Sequence, residues 1–444
     1  MKVASFVSIV IGSCMALPAS AQERKPNAAF IQKKLDAEAD SLLALYKQIH
    51  AFPELAFQEE QTSARLAKEL RKVGFTVTEK VGVTGVVGVL KNGVGPTVLV
   101  RADMDALPII EDTKLAYASK VRTRDKDGLD VGVMHACGHD MNAACLVGTA
   151  RVMAQMKDRW QGTLVFIGQP AEEIGAGARA MLEDGLLQKF PRPDFALALH
   201  CDGRYPAGHV NYREGQMQAN VDSVDIIVKG KGGHGAAPHA TIDPIVLAAR
   251  IILDLQTIVS RERNPLEPAV VTVGSIHGGT KHNIIPDEVK MQLTVRTMND
   301  KSRAEVLESI TRIATAAALG ARAPEPIVKT RGESFTPALY NESELTKKMV
   351  ALFKDVVGTE RVHERPMSMG GEDFSQFTRA GLRTFYWHLG TADPGAFAES
   401  KKGGKALENT HSPYYAPVPE PTLRTGVLTM SMAILELMNE KKTR

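Results

Sequence analysis

Aromatic side chains make up only 5% of this 444-residue sequence, and tryptophan occurs twice. Charge of either sign is nearly balanced, with a net value of +3 and no basic run, so a nucleic acid would meet no electrostatic footprint. Beyond the N-terminal segment, no apolar stretch reaches the ~20 residues that a membrane-spanning helix needs. The four cysteines are too sparse for a disulfide framework. With 44% hydrophobic and 24% charged residues, the composition is that of a globular chain, too long for one hydrophobic core.

The N-terminus reads differently from the rest. "MKVASFVSIVIGSCMALPASAQ" carries Lys2, an apolar run and then small residues ahead of Gln22. That is the pattern of a secretory signal, residues 1–21, cleaved after Ala21. It implies an exported, periplasmic or secreted protein. The alternative is lipid attachment at Cys14 within "IGSC". After cleavage Cys137, Cys145 and Cys201 remain, an odd set that points to metal binding or burial rather than pairing.

Residues 27–71 carry two helical patterns, with Leu42, Leu43, Tyr46 and Ile49 in one and Leu66 and Leu70 in the other. "GFTVTEK", "TGVVGVL", "TVLVRADMD" and "TLVFIGQPAEE" read as strands, and "DFALALHCDG" as an apolar strand ending on His200. Strand and helix alternate, which predicts an α/β sheet with helices on its faces. Chemistry in such sheets gathers where strands end, and Asp103, Glu172, Glu173 and His200 fall there. From residue 211 the pattern becomes strand-helix-strand-strand-helix-strand, a compact α+β unit of ferredoxin-like type through residue 330. The first pattern resumes at 331–444. The expected organisation is therefore one catalytic domain, 22–210 and 331–444, with a second domain, 211–330, inserted into it.

Five residues stand out as candidate metal donors: Cys137 and His139 in "MHACGHD", Glu173, His200, and His411 in "NTHSPYY". A lone histidine is ordinarily just polar, and adjacent glutamates commonly mark a solvated helix start. The conjunction along one α/β pattern changes that balance. A thiol, imidazoles and a carboxylate suit Zn(II) or a similar ion better than Mg(II) or Ca(II). Five donors can serve two ions if one bridges, as a thiolate can. Neighbouring Glu172 and Glu173 repel unless they take different jobs, so one can bind metal while the other moves protons. Cys145 reads as a buried helix residue, and strand alternation turns Cys201 away from the side of His200.

"VRADMDALPI", "MHACGHD", "QPAEE", "ALH", "GKGGHGAAPH", "HNIIPDEV", "GGEDFS" and "HSPYY" occur in that order, and "QIHAFPELAFQEEQT" precedes them. This set resembles the amidohydrolase branch of the aminoacylase/carboxypeptidase metallopeptidase family, which includes hippurate hydrolases and auxin-conjugate hydrolases. The resemblance runs from near residue 40 to the end. It implies a two-metal, aminopeptidase-like catalytic domain with an inserted lid that makes homodimers or higher homo-oligomers. It implies two divalent ions per subunit, zinc, manganese or nickel. Cys137 would bridge them, with His139 and His200 on one, Glu173 and His411 on the other, and Glu172 as general base. Asp103 and Asp105 would orient ligands. His234 would steady the oxyanion, often in the partner's site, while Asn283, Arg296, Gly370 and Gly371 would bind substrate. The implied reaction cleaves N-acyl or N-aroyl amino acids, hippurate-like and ochratoxin-type aroyl-phenylalanine amides included.

The sequence departs from that pattern after "ALH", where "CDGRYPAG" replaces an apolar or aromatic residue. The nearest rival function is a metallo-carboxypeptidase or dipeptidase. "GKGGHG" also fits G-x-G-x-x-G after a strand, a distant dinucleotide-binding alternative, but the next strand, "AVVTVGSIHGG", ends without an acid for a ribose. No G-x-S-x-G elbow or H-E-x-x-H helix occurs.

Overall fold

The structure, a computed structural model, describes residues 19–439 other than residue 126. Cys14 and the body of the expected signal segment lie outside the described residues. The main elements are α1 (Ala19–Ala51), α2 (Glu60–Lys72), β1 (Thr76–Val81), β2 (Gly85–Asn92), β3 (Thr97–Asp103), α3 (His139–Gln155) and β4 (Gly162–Gln169). They continue as β5 (Phe195–Pro206), β6 (Val210–Tyr212), β7 (Asn220–Lys229), α4 (Pro244–Thr257), β8 (Val270–Gly278), β9 (Glu288–Thr297) and α5 (Asp300–Gly320). The rest are β10 (Ile327–Thr330), α6 (Ser343–Val357), β11 (Val362–Glu364), β12 (Arg383–Ala392) and α7 (Pro419–Met438).

Eight strands form a mixed sheet in the order β1-β2-β4-β3-β5-β12-β6-β11. Its centre, β4, β3, β5 and β12, is parallel. These strands are apolar runs because both faces are covered. One face packs on α1, α3, α6 and α7 through Leu42, Tyr46, Leu146, Phe353 and Val427, all buried. Val165, Ile167, Ala198, Phe374 and Tyr386 form the core on the other face. The mixed α/β class expected from the alternation is the one found.

β5 corrects one detail of that expectation. It does not end on His200 but runs to Pro206, because β12 continues to pair with it past His200, matching His388 to His200 and Gly390 to Asp202. The other neighbour, β3, pairs with β5 only as far as Arg101 opposite Ala198. His200 therefore still sits at an edge, the edge that β3 leaves open.

Residues 220–330 build a separate four-stranded sheet, order β8-β9-β7-β10, every pairing antiparallel. β7 alternates buried and part-exposed residues along its whole length, the pattern of a sheet with one face covered. α4 and α5 supply that cover with Leu247, Ile251, Leu255, Val306, Ile310 and Ala314. Asp243 caps α4 by accepting from the N–H groups of Ile245 and Val246. The glycine-rich stretch lies in the connection between β7 and α4, well ahead of the helix, and this sheet has no parallel pair. A dinucleotide-binding crossover needs its glycines at the start of the helix and a parallel strand pair, so that alternative falls.

Candidate active site

The site begins where β3 and β4 stop together, Asp103 opposite Gln169. After Gln169 the chain turns sharply through Ala171, whose φ is +49°. Two buried acids hold that turn. Glu59 accepts from the Ala171 N–H at 2.8 Å. Asp105 accepts from the N–H groups of Glu172 and Glu173 at 3.1 and 3.0 Å. The paired glutamates are thus fixed by a tight turn rather than by a solvated helix.

α3 supplies His139 as its first residue. The preceding Gly138 has φ +82°, and a Cβ there would lie 2.8 Å from the Cβ of Cys201, so only glycine brings the two segments together. His139 Nδ1 lies 2.8 Å from the Asp105 carbonyl oxygen. If Nδ1 donates, Nε2 is left as the lone-pair nitrogen, and it has no hydrogen-bond partner although buried. His200 is arranged alike: Nδ1 faces the Cys201 carbonyl at 2.8 Å, while Nε2 lies 3.5 Å from Cys137 Sγ. His411 sits at φ +69°, held by its N–H bond to Ala136 O at 2.8 Å. Its Nε2 is 3.4 Å from Glu173 Oε2.

These five side chains converge. Cys137, His139 and His200 place one donor atom each within 4.8 Å of one another, and so do Cys137, Glu173 and His411. Cys137 belongs to both groups. Glu173 Oε1 is buried and, like His139 Nε2, without a hydrogen-bond partner. Unpartnered buried polar atoms cost free energy unless something satisfies them, and a pair of divalent cations fits these donors. Burial pushes the Cys137 thiol well up, so a thiolate there requires a cation at hand. Burial pushes the Glu173 carboxyl up to about 7, against the pull of His139. It also raises Glu172 far above the ordinary carboxylate range, with Glu372 and Glu173 adding to the effect.

Behind the donors lies a network that motif reading left unassigned. Arg101 is fully buried and spans Asp103 Oδ2 (2.6 Å), Glu372 Oε1 (2.8 Å) and Asp373 Oδ1 (3.0 Å), with Gln169 Oε1 at 2.9 Å. One cation so distributed lets Glu372 and Asp373 approach Glu172 without a prohibitive repulsion. The Tyr386 hydroxyl donates to Glu372 at 2.8 Å. Asp103 also accepts from Asn142 at 2.7 Å. The signal was present in "VRADMD" and "GGEDFS", whose charged residues are unusual so close to apolar strands. Cys145 is in the core, and Cys201 faces Gly138 O and Asn142 on α3.

The donors open into a cleft of about 960 Å³ between the two sheets. Arg296, on β9, lines it together with Gly370 and Gly371. A Cβ on Gly371 would fall 2.3 Å from Val221 Cγ2, so glycine is required for that wall to close beside the guanidinium. Arg296 donates to Thr294 at 3.1 Å, and burial pulls its pKa down. His234 and Asn283 are not brought into this cleft. They stand exposed at a short two-stranded ribbon of the second sheet's unit, where Gly233–His234 pairs with Ile284–Ile285 and Gly235 N–H donates to Asn283 O at 2.9 Å.

Buried acids, imidazoles and a thiol gathered where the parallel strands of a mixed α/β sheet end are the donor set of a metal-centred α/β enzyme. Comparison with known proteins makes the assignment specific. The chain belongs to peptidase family M20/M25/M40, whose sequence profile matches residues 99–430. It is 37% identical over 408 residues to thermostable carboxypeptidase 1 of Saccharolobus solfataricus, covering 90% of this chain and 96% of that protein. It is 34% identical to IAA-amino acid hydrolase ILR1-like 2 of Arabidopsis thaliana, with 91% and 87% covered. Among solved structures, the YXEP protein of Bacillus subtilis, described as a dinuclear metal binding peptidase, superposes with a TM-score of 0.72 at 30% identity, with 91% and 99% covered.

Proposed function

We propose that the protein hydrolyses the amide bond of N-acyl or N-aroyl amino acids, releasing a carboxylic acid and a free amino acid. The observation that carries this reading is the pair of donor groups sharing Cys137, with Glu172 beside them and a guanidinium, Arg296, in the same cleft. Cys137, His139 and His200 would hold one ion, and Cys137, Glu173 and His411 the other. Zinc suits the mixed thiolate, imidazole and carboxylate set, with manganese or nickel as alternatives. Bound there, such ions supply Lewis acidity that polarises a carbonyl and makes water acidic enough to attack near neutral pH.

The chain's own groups do the rest. Glu172 takes a proton from the attacking water and returns it to the leaving nitrogen. Asp105 holds the turn that aims Glu172 and Glu173, and Asp103 and Asp105 steady His139. Arg296 forks the substrate's α-carboxylate. The unit 211–330 acts as a lid through which two copies pair, bringing His234 to the oxyanion and Asn283 to the carboxylate of the partner's cleft. Support comes from the exposure of both residues outside their own chain's cleft. The N-terminal 21 residues direct export.

Glu172→Gln should keep its metal content and thermal midpoint while hippurate and N-acetyl amino acid turnover falls by roughly 10²–10⁴. Near-normal rates would remove Glu172 as the base. The likeness to a thermostable carboxypeptidase supports a second reading. An unblocked dipeptide cleaved faster than its N-acyl counterpart would favour it.

A further inference from the structure

Beside His200 the cleft carries a buried cationic group that the proposed reaction does not use. Arg365 is 4% exposed and lines the cleft. Its Nη1 lies 2.7 and 2.9 Å from the two ring nitrogens of His388, so whichever nitrogen is unprotonated accepts from it. The carboxylate within ion-pair distance of Arg365 is that of Asp202, 3.3 Å from Nη1. Asp202 is already committed. Arg204 binds both of its oxygens at 2.9 Å, through Nε and Nη2. One negative charge thus serves two guanidinium groups, and the cluster keeps a net positive charge. Among the described residues, Nε and Nη2 of Arg365 donate to no protein group. A buried cation with idle donors facing a cleft is poised for an oxyanion.

The segment that builds the cleft floor there is "CDGRYPAG". Gly203 lets it press against the loop before His411, because a Cβ there would lie 2.5 Å from Glu408 O, and its N–H donates to Asn409 Oδ1 at 3.0 Å. The floor is therefore braced on both sides. Arg296 approaches from the second sheet, whereas Arg365 and His388 lie on the eight-stranded sheet's side, next to His200.

We propose that Arg365, backed by His388 and the Asp202–Arg204 pair, is an anion subsite for the acyl portion of the substrate, selecting acyl groups that carry a carboxylate or comparable oxyanion. This rests on the amidohydrolase reading above, with the α-carboxylate at Arg296. The test compares N-succinyl-L-phenylalanine with N-butanoyl-L-phenylalanine on the metal-loaded enzyme. The succinyl compound should have at least tenfold higher kcat/KM, mostly through KM. Arg365→Gln should bring the ratio close to one, and Arg365→Lys should restore part of it. A structural role alone would lower both substrates together and leave the ratio intact. A wild-type ratio near one, or a ratio unchanged in Arg365→Gln, overturns the subsite. Calorimetric titration of both compounds into Glu172→Gln protein reads the subsite without turnover. If neither compound is cleaved by the wild type, the amidohydrolase reading falls, while tighter binding of the succinyl compound that depends on Arg365 would still uphold the subsite, and equal binding would sink it.

Discussion

His50 sits on α1 with its ring enclosed between two carboxylates, Asp140 at 2.7 Å and Glu111 at 3.0 Å. Burial opposes its charge, but hydrogen bonds to the two acids win and lift its pKa to about 10. A histidine raised in the folded state stabilises the fold fully below its unfolded pKa, near 6.5, and that contribution is lost as pH climbs toward 10. The amount at stake is of the order of a few kcal/mol. Urea midpoints should therefore decline between pH 6.5 and 10, and His50→Gln should lower the curve and flatten it over that window. Parallel curves for the two proteins would show that His50 carries no such linkage. Nothing in "QIHAF" announces this role, because a histidine's partners here arrive from ninety and sixty-one residues away. The donors differ. Cys137-x-His139 and the Glu172–Glu173 pair were legible because thiols and adjacent acids are rare beside apolar strands. Arg365 and His388 were not, since single arginines and histidines are ordinary surface residues until a fold encloses them.

At the scale of elements, the helical and strand periods were legible wherever burial is one-sided. α1 buries Leu42, Tyr46 and Ile49 as their spacing requires. β5 was read too short because its length is set by the partner β12 rather than by its own sequence. The contact of α3 with α7 shows another property invisible to periodicity. A Cβ on Gly426 would meet Cys145 Sγ at 2.5 Å and Leu389 Cδ1 at 2.8 Å. Alanine is about 1 kcal/mol better than glycine inside a helix, while overpacking costs about 1–3 kcal/mol. Gly426→Ala should therefore be destabilising in the native background. In a Cys145→Ala background, with the sulfur gone and only the Leu389 contact left to relieve, the same change should cost less. The coupling from a double-mutant cycle should be about 1 kcal/mol or more. Additivity would mean that the helices separate rather than clash.

For the whole molecule, the cleft draws on both sheets and the donors on four separate stretches of the eight-stranded part, at residues 137–139, 173, 200 and 411. Ligands that bind only the folded state stabilise it by mass action, about 2.7 kcal/mol at a free concentration a hundred times Kd. Dialysis against a chelator should lower the thermal midpoint, and returning zinc or manganese should restore it. His411→Ala should cut the metal content of the purified protein from two ions toward one and weaken that rescue. A midpoint indifferent to chelation would count against a resident metal pair.

His411 comes more than two hundred positions after His200, and its backbone is tied to Ala136 by a bond that spans most of the chain. A chain emerging from the ribosome holds Cys137, His139, Glu173 and His200 long before that last donor is released. Ions captured early would meet a partial cage, so faithful loading belongs after the segment carrying His411 has been made and has docked on Ala136. Shortening the chain before residue 411 would also strip α7 from the core, so the loss of this donor is isolated by substitution at His411 rather than by truncation.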